Sequence, residues 1–333
     1  MVAGLVSLQG PHGGSAIAHD LSNTNVQKTV VLGALEKLLR GEYDVPGGAP
    51  DKVPAFRTET RTKPGKKPPP LGGPSSRTLQ VINCWKADAA FAALVRSPTL
   101  GRAVAEVMGW RGARVANDQA WGKPPGAAAL TFHRDSPYFD FVPAAVATVW
   151  IALDAMTEEL GPQEPAWNST IPGIFSRDLA SRRAVEQTRS RGHARGAPEM
   201  SAPHRLEYVE GSHAWGDGRV GSAEQFFDSR DPTALLYDAA RREGIAEPEA
   251  SLVVERLDVP AGGAGIHNGR LWHGSGRNRS RTQPRRGLGI HFVPADARFR
   301  DAENGYETLA HRFRDPSGGN ALPDHAFPVT WTM

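Results

Sequence analysis

The stretch Ala-Leu-Thr-Phe-His-Arg-Asp-Ser-Pro-Tyr-Phe, residues 129–139, governs how the rest of the chain is read. On an extended strand alternate residues project to one side, so His133 and Asp135 are expected to reach a single metal ion together. A third ligand must come from elsewhere, and His273, in Leu-Trp-His-Gly-Ser-Gly (271–276), is the candidate. Two imidazoles and one carboxylate on one face suit iron(II) and leave three coordination positions open for reactants.

With eleven histidines in 333 residues, a bare His-x-acid motif is expected about once by composition alone. Its surroundings carry the specificity. Lys123-Pro124-Pro125-Gly126 precedes the motif, and a strand Thr148-Val149-Trp150-Ile151-Ala152-Leu153-Asp154 follows it. Then come Leu206-Glu207-Tyr208-Val209-Glu210-Gly211-Ser212-His213 and His273-Gly-Ser-Gly, with Arg285 downstream. From about Val81 to the C-terminus this ordered series resembles the phytanoyl-CoA dioxygenase family of iron(II)/2-oxoglutarate oxygenases. The resemblance implies a mainly β fold with flanking helices, a double-stranded β-helix (cupin-like jelly roll). It also implies iron(II), 2-oxoglutarate and O2 as reactants, with a small metabolite oxidised, most simply hydroxylated, as the co-substrate decays to succinate and carbon dioxide. A substrate from specialised metabolism fits this class; desaturation, ring formation and epimerisation are its known variants. Asp135 stands where related halogenases carry a small residue, so halogenation is not expected.

Arg285 is the candidate anchor for the co-substrate. In the strand from Arg285 to Phe292, Leu288, Ile290 and Phe292 read as an outward apolar face, so Arg285, Gly287, Gly289 and His291 face inward, with glycines leaving space beside the arginine. A planar guanidinium there grips a carboxylate through two parallel hydrogen bonds. The spacing from His273 is one residue longer than the family pattern, which keeps Arg286 as an alternative. By the same resemblance Ser275 bonds that carboxylate, and Gln119 and Trp150 line the pocket. His213 is read as structural and His267 as a wall of the pocket; Tyr138 and Phe139 lie near enough in sequence to touch substrate.

Charged residues at 23%, eight tryptophans, 36 glycines and 27 prolines describe a loop-rich globular chain. The single cysteine, Cys84, excludes an internal disulfide framework and fits a reducing, cytoplasmic setting. Neither a leader peptide nor a membrane-length apolar run is evident, and the oligomeric state is left open. Net charge is only +3. Arginine and lysine concentrate at 57–67 and 177–205, which suits an anionic substrate better than nucleic acid, since no recognition motif accompanies them.

A single domain over 1–333 is expected. Residues 1–25 read as an arm, and a helical cover spans about 26–110, with helices at Val26–Arg40, Ala87–Arg96 and Pro98–Met108 and an irregular Lys63–Ser76 connection. The barrel follows over about 111–300. Residues 163–205 form an insertion far longer than a barrel link needs, read as a lid over the mouth. A second insertion, from Gly216 to about Pro248, carries a helical pattern over Ser222–Gly244. Two other readings compete: a zinc hydrolase on the same ligands, and a non-catalytic barrel that binds a ligand or partner.

Overall fold

The computed structural model describes residues 5–8, 33, 35, 78–156, 206–216, 231–257, 259–301, 310, 313–315 and 317–333. The insertion at 163–205, both basic clusters, the Lys63–Ser76 connection and all of Val26–Arg40 except Gly33 and Leu35 lie outside them. Those two residues are helical, and Leu35 is buried in the main apolar cluster.

Two antiparallel sheets build the barrel. The major one runs β1 (Leu5–Leu8), β9 (Ala264–Asn268), β6 (Ala147–Ala152), β11 (Arg285–Pro294), β3 (Gly112–Lys123). The free edge of β3 is shared, its C-terminal half by β2 (Leu79–Ile82) and its N-terminal half by β13 (Val329–Thr332). The minor sheet has the order β4 (Leu130–His133), β10 (His273–Ser275), β7 (Leu206–Val209), β8 (Val254–Leu257). A separate short pair joins β5 (Phe141–Val142) to β12 (Arg298–Phe299). The jelly-roll expectation is met. The arm reading of residues 1–25 is corrected at β1, where Leu5 pairs with His267 and Leu8 with Ala264. A four-residue edge strand is too short to show a period of its own. β2 and β13 likewise extend the sheet beyond the span assigned to the barrel.

Helices cover the outer face of the major sheet. α1 (Ala89–Val95) starts where the Asp88 carboxylate accepts the Ala90 and Phe91 amides, and α2 (Pro98–Met108) starts at Ser97 and ends at Gly109 in the left-handed region, φ 69°. Side-chain caps and a glycine C-cap satisfy backbone groups that the helix ends leave free. Phe91, Val95, Leu100 and Val104 pack against Val149, Ile151, Ile266, Leu288, Ile290 and Phe292. That contact confirms the outward face read from β11 and sends the odd positions of the strand inward. α3 (Ala234–Arg242) lies in the described part of the helical pattern read over Ser222–Gly244, whose residues 222–230 fall outside the described ones, and backs the minor sheet through Leu236 and Ala239 against Phe132, Val209 and Trp272. A further short helix, α4 (Pro248–Ser251), follows it. No helix among the described residues is long and apolar enough to cross a membrane.

Candidate metal centre and co-substrate pocket

His133 ends β4, and His273 opens β10 directly opposite it in register. Their rings lie 4.2 Å apart, centroid to centroid. Asp135 is not on the strand as the alternation predicted. It caps a 3-10 turn over Ser136–Tyr138, with φ −78° and ψ −40°. Pro137 has no amide for a ladder, so the chain leaves the sheet here; the Asp135 and Ser136 amides instead donate to the Gly269 carbonyl, at 2.8 and 2.9 Å. The turn still delivers the carboxylate. Asp135 Oδ1 lies 3.7 Å from Nε2 of both His133 and His273, and one ligand atom from each of the three residues falls within 4.8 Å of the others.

Each histidine is oriented by its own backbone. His133 Nδ1 donates to the Thr131 carbonyl at 2.8 Å, and His273 Nδ1 donates to the Leu271 carbonyl at 2.9 Å. A carbonyl only accepts, so the proton sits on Nδ1 and each Nε2 lone pair faces the centre. Burial and the neighbouring His273 hold the His133 imidazole well below its ordinary pKa. For Asp135 burial alone would raise the carboxyl, but the charge of His273 and the hydrogen bonds from His267 and His291 prevail and hold it well below the usual carboxylate range. A neutral His133 beside an ionised Asp135 is the protonation state a divalent metal needs.

The second oxygen of Asp135 is held from the major sheet. Oδ2 accepts the Thr148 hydroxyl at 2.6 Å and His267 Nε2 at 3.3 Å, and His291 Nε2 lies 3.7 Å away. Burial and the nearby His273 push His267 down to about 4, so its ring is neutral. With Nε2 donating to the carboxylate, its Nδ1 accepts from the Tyr208 hydroxyl at 3.5 Å. His267, read as a pocket wall, is therefore part of the support for Asp135. Thr148 and His291 were not singled out as site residues in the sequence. His213 lies on a 3-10 turn outside the metal group. Phe139 packs on Phe141 and His291, with centroids 6.2 and 4.9 Å away, inside an apolar cluster that Tyr138 also joins.

The paired arginines separate cleanly. Arg286 turns out of the barrel and grips Asp154 through Nε and Nη2, at 2.8 Å each. Arg285 turns in, is 6% exposed, and donates from Nη2 to Ser275 Oγ at 2.8 Å, while Nη1 has no partner among the described residues. Burial lowers its pKa to about 10, still charged at neutral pH. The space beside it is not empty. A Cβ added to Gly287 would stand 2.6 Å from Cζ2 of Trp150, and one added to Gly289 would stand 3.3 Å from its Cε3. The two glycines admit the indole, whose buried Nε1 is a second donor without a partner. Gln119 pairs with Gly289 in register on β3 and accepts from Gln80 Nε2 at 2.7 Å.

Sequence reasoning missed Lys123 as a site residue. It stands opposite Arg285 in the β3–β11 register and is 2% exposed. Its Nζ reaches Ser275 Oγ at 3.1 Å, the Ser275 carbonyl at 3.3 Å and the Gly276 carbonyl at 2.7 Å. The inward alternation of 119, 121 and 123 was the available sign, hidden because Lys-Pro-Pro-Gly reads as a turn. Two buried donors without partners among the described residues, beside the Arg285 guanidinium, Lys123 and a hydroxyl, fit an incoming carboxylate.

A jelly-roll barrel that brings two histidines and one carboxylate together beside a buried arginine has the donor set of the non-haem iron oxygenase class. Comparison with known proteins narrows this. The sequence profile of the phytanoyl-CoA dioxygenase family matches residues 61–164 and 206–287, more than half of the chain. The chain belongs to that family of iron(II)/2-oxoglutarate oxygenases. The match omits 165–205, so the insertion is an addition to the shared pattern. No curated protein matches the chain in sequence. Among solved structures it is similar to the carbocyclase SnoK from nogalamycin biosynthesis, at TM-score 0.56 and 17% identity over 98% of this chain and 92% of that one. The epimerase SnoN from the same biosynthesis gives TM-score 0.55 and 15% identity over 99% and 94%. SnoN with Fe3+, alpha-ketoglutarate and nogalamycin RO bound gives TM-score 0.55 at 15% identity over 99% and 95%.

Proposed function

We propose that the protein is an iron(II)- and 2-oxoglutarate-dependent oxygenase that hydroxylates a small, anionic metabolite of specialised metabolism, in the cytoplasm. His133, Asp135 and His273 hold the metal; Arg285, Ser275 and Lys123 hold the distal carboxylate of the co-substrate, with Trp150 and Gln119 lining its pocket. The observation that carries this reading is the presence of two complementary sets of groups in one buried interior: ligand atoms of His133, Asp135 and His273 converging for a cation, and Arg285 Nη1 and Trp150 Nε1, without partners among the described residues, for an anion. A zinc hydrolase has no use for the second set, and neither has a barrel without a co-substrate.

Bound iron supplies the O2 chemistry that couples decarboxylation of the co-substrate to C–H oxidation. The chain's own residues do the rest. His133 and His273 present fixed lone pairs, and Asp135 gives one oxygen while Thr148 and His267 occupy the other. Arg285 and Ser275 orient the co-substrate so that its keto-acid end meets the metal. SnoN is named an epimerase and SnoK a carbocyclase, so the fold alone does not dictate hydroxylation; that choice rests on its being the simplest outcome for the family. The whole chain is proposed as one domain, with 163–205 as the lid that selects substrate, supported by its place between β6 and β7.

The test is anaerobic titration of the protein with iron(II) and 2-oxoglutarate. A weak visible charge-transfer band should appear and should vanish in His133→Ala, Asp135→Ala and His273→Ala, and candidate anionic metabolites should then be ranked by coupled succinate release in air. A full-strength band in all three variants would overturn the ligand assignment.

A further inference from the structure

Each histidine of the candidate metal centre is oriented through one peptide unit, and the other side of that unit is held as well. The Thr131 carbonyl that accepts from His133 Nδ1 shares its peptide with the Phe132 amide, which donates to the Pro232 carbonyl at 2.9 Å. The Leu271 carbonyl that accepts from His273 Nδ1 shares its peptide with the Trp272 amide, which donates to Ser212 Oγ at 2.9 Å. A trans peptide is planar, with N–H and C=O pointing opposite ways, so fixing one fixes the other. For His133 the fixing group is main chain; for His273 it is a single hydroxyl. Ser212 is fully buried and lies just past β7, where Gly211 at φ 73° turns the chain back. There the Val209 amide donates directly to the Trp272 carbonyl at 2.9 Å. The return bond of this antiparallel pair runs through the hydroxyl instead: Trp272 N–H donates to Ser212 Oγ, which donates to the Val209 carbonyl at 2.8 Å.

We propose that Ser212 is a positioning residue for His273, acting through the Leu271–Trp272 peptide. Without the hydroxyl, the Trp272 amide and the Val209 carbonyl either stay buried without partners or close on each other directly. Closing rotates the peptide plane and draws the Leu271 carbonyl off His273 Nδ1; staying open leaves the plane unheld. In both cases the imidazole loses the acceptor that fixes its tautomer and aims its Nε2 lone pair at the metal. Trp272 keeps its packing among Phe132, Val209 and Leu236, so the effect falls on the ring rather than on the fold. The inference rests on the metal-centre reading above and adds to it a residue outside the three ligands, drawn from the Gly-Ser-His turn whose histidine was read as structural.

The experiment is proton NMR of the protein loaded with Co(II), whose unpaired electrons shift the signals of ligating histidines far from the rest. Wild type should show two exchangeable ring N–H signals, one each for His133 and His273, both slow to exchange because each proton is bonded to a carbonyl. In Ser212→Ala one of the two should be lost to fast exchange while the other persists, and Co(II) affinity should fall about ten- to hundred-fold. Leu236→Ala, which loosens the same cluster without touching the hydroxyl, should lower the melting temperature and leave both signals and the affinity as in wild type. Should Ser212→Ala fail to fold, Ser212→Cys, whose thiol fills the space but bonds weakly, carries the same expectation. Two persistent signals with wild-type affinity in the folded Ser212 variant, or equal losses in Leu236→Ala, would overturn the inference and leave the ligand assignment standing. Failure of wild type to bind Co(II) at all would overturn the functional reading and the inference with it.

Discussion

Replacing Arg285 and Arg286 one at a time by alanine sets two adjacent, chemically identical side chains against each other. Arg285→Ala removes the inward guanidinium, one nitrogen of which bonds Ser275 while the other is unpartnered. Hydrogen bonds to charged groups contribute about 1.5–3 kcal/mol, so 2-oxoglutarate affinity should fall roughly ten- to hundred-fold. Arg286→Ala breaks a pair with Asp154 whose side chains are 16% and 22% exposed. The Arg286 amide still donates to the same carboxylate at 2.8 Å, so the loss should be about 1 kcal/mol of stability, a melting shift of about 2–4 °C, with 2-oxoglutarate affinity unchanged. Anaerobic titration of the charge-transfer band gives both dissociation constants, and thermal melts give the stabilities. If Arg286→Ala weakened the co-substrate more than Arg285→Ala, the inward alternation of β11 and the pocket built on it would be wrong.

Thr148→Val should weaken iron(II) binding about ten- to hundred-fold by freeing Asp135 Oδ2, and Thr148→Ser should restore it; competition with a metal-sensing dye would expose equal affinities. Gly287→Ala should cost about 1–3 kcal/mol of stability, because its methyl meets the Trp150 ring, and a melting temperature equal to wild type would show that the indole is not pinned there. Asp118 is buried against Trp85 and Cys84, and burial lifts its carboxyl to about 7 from 3.8. Its folded-state pKa is raised, so its contribution is full below about pH 4 and is lost as pH rises through 7, a drop on the order of 4 kcal/mol. Asp118→Asn should flatten denaturation midpoints between pH 4 and 8 and raise them at pH 8; a pH dependence equal to wild type would sink the assignment.

What was legible in the sequence was whatever a single strand encodes. The alternation of β11 assigned Arg285 inward and Leu288, Ile290 and Phe292 outward without reference to any partner strand, and the His-x-Asp pair marked two side chains that meet in one cluster although Asp135 reaches it through a turn. What escaped was set by register between strands. Thr148, His267 and His291 converge on one oxygen because β6, β9 and β11 are neighbours in a particular alignment, and Lys123 matters because it stands opposite Arg285. No local pattern marks such meetings. The space beside the arginine was read from the glycines and Trp150 was placed at the pocket by the family resemblance, but that its indole is what fills that space follows from the pairing of β6 with β11.

The two halves of the candidate metal centre differ in what mutation can reach. Both histidines lean on a main-chain carbonyl two residues upstream in the chain, and no side-chain replacement at Thr131 or Leu271 deletes that acceptor. Within its own segments the nitrogen half is hard-wired. The carboxylate half leans wholly on side chains from three strands, each open to substitution. Evolution or a designer seeking a different metal preference or reactivity from this barrel would find the adjustable screws at 148, 267 and 291, with the histidines left as fixed points.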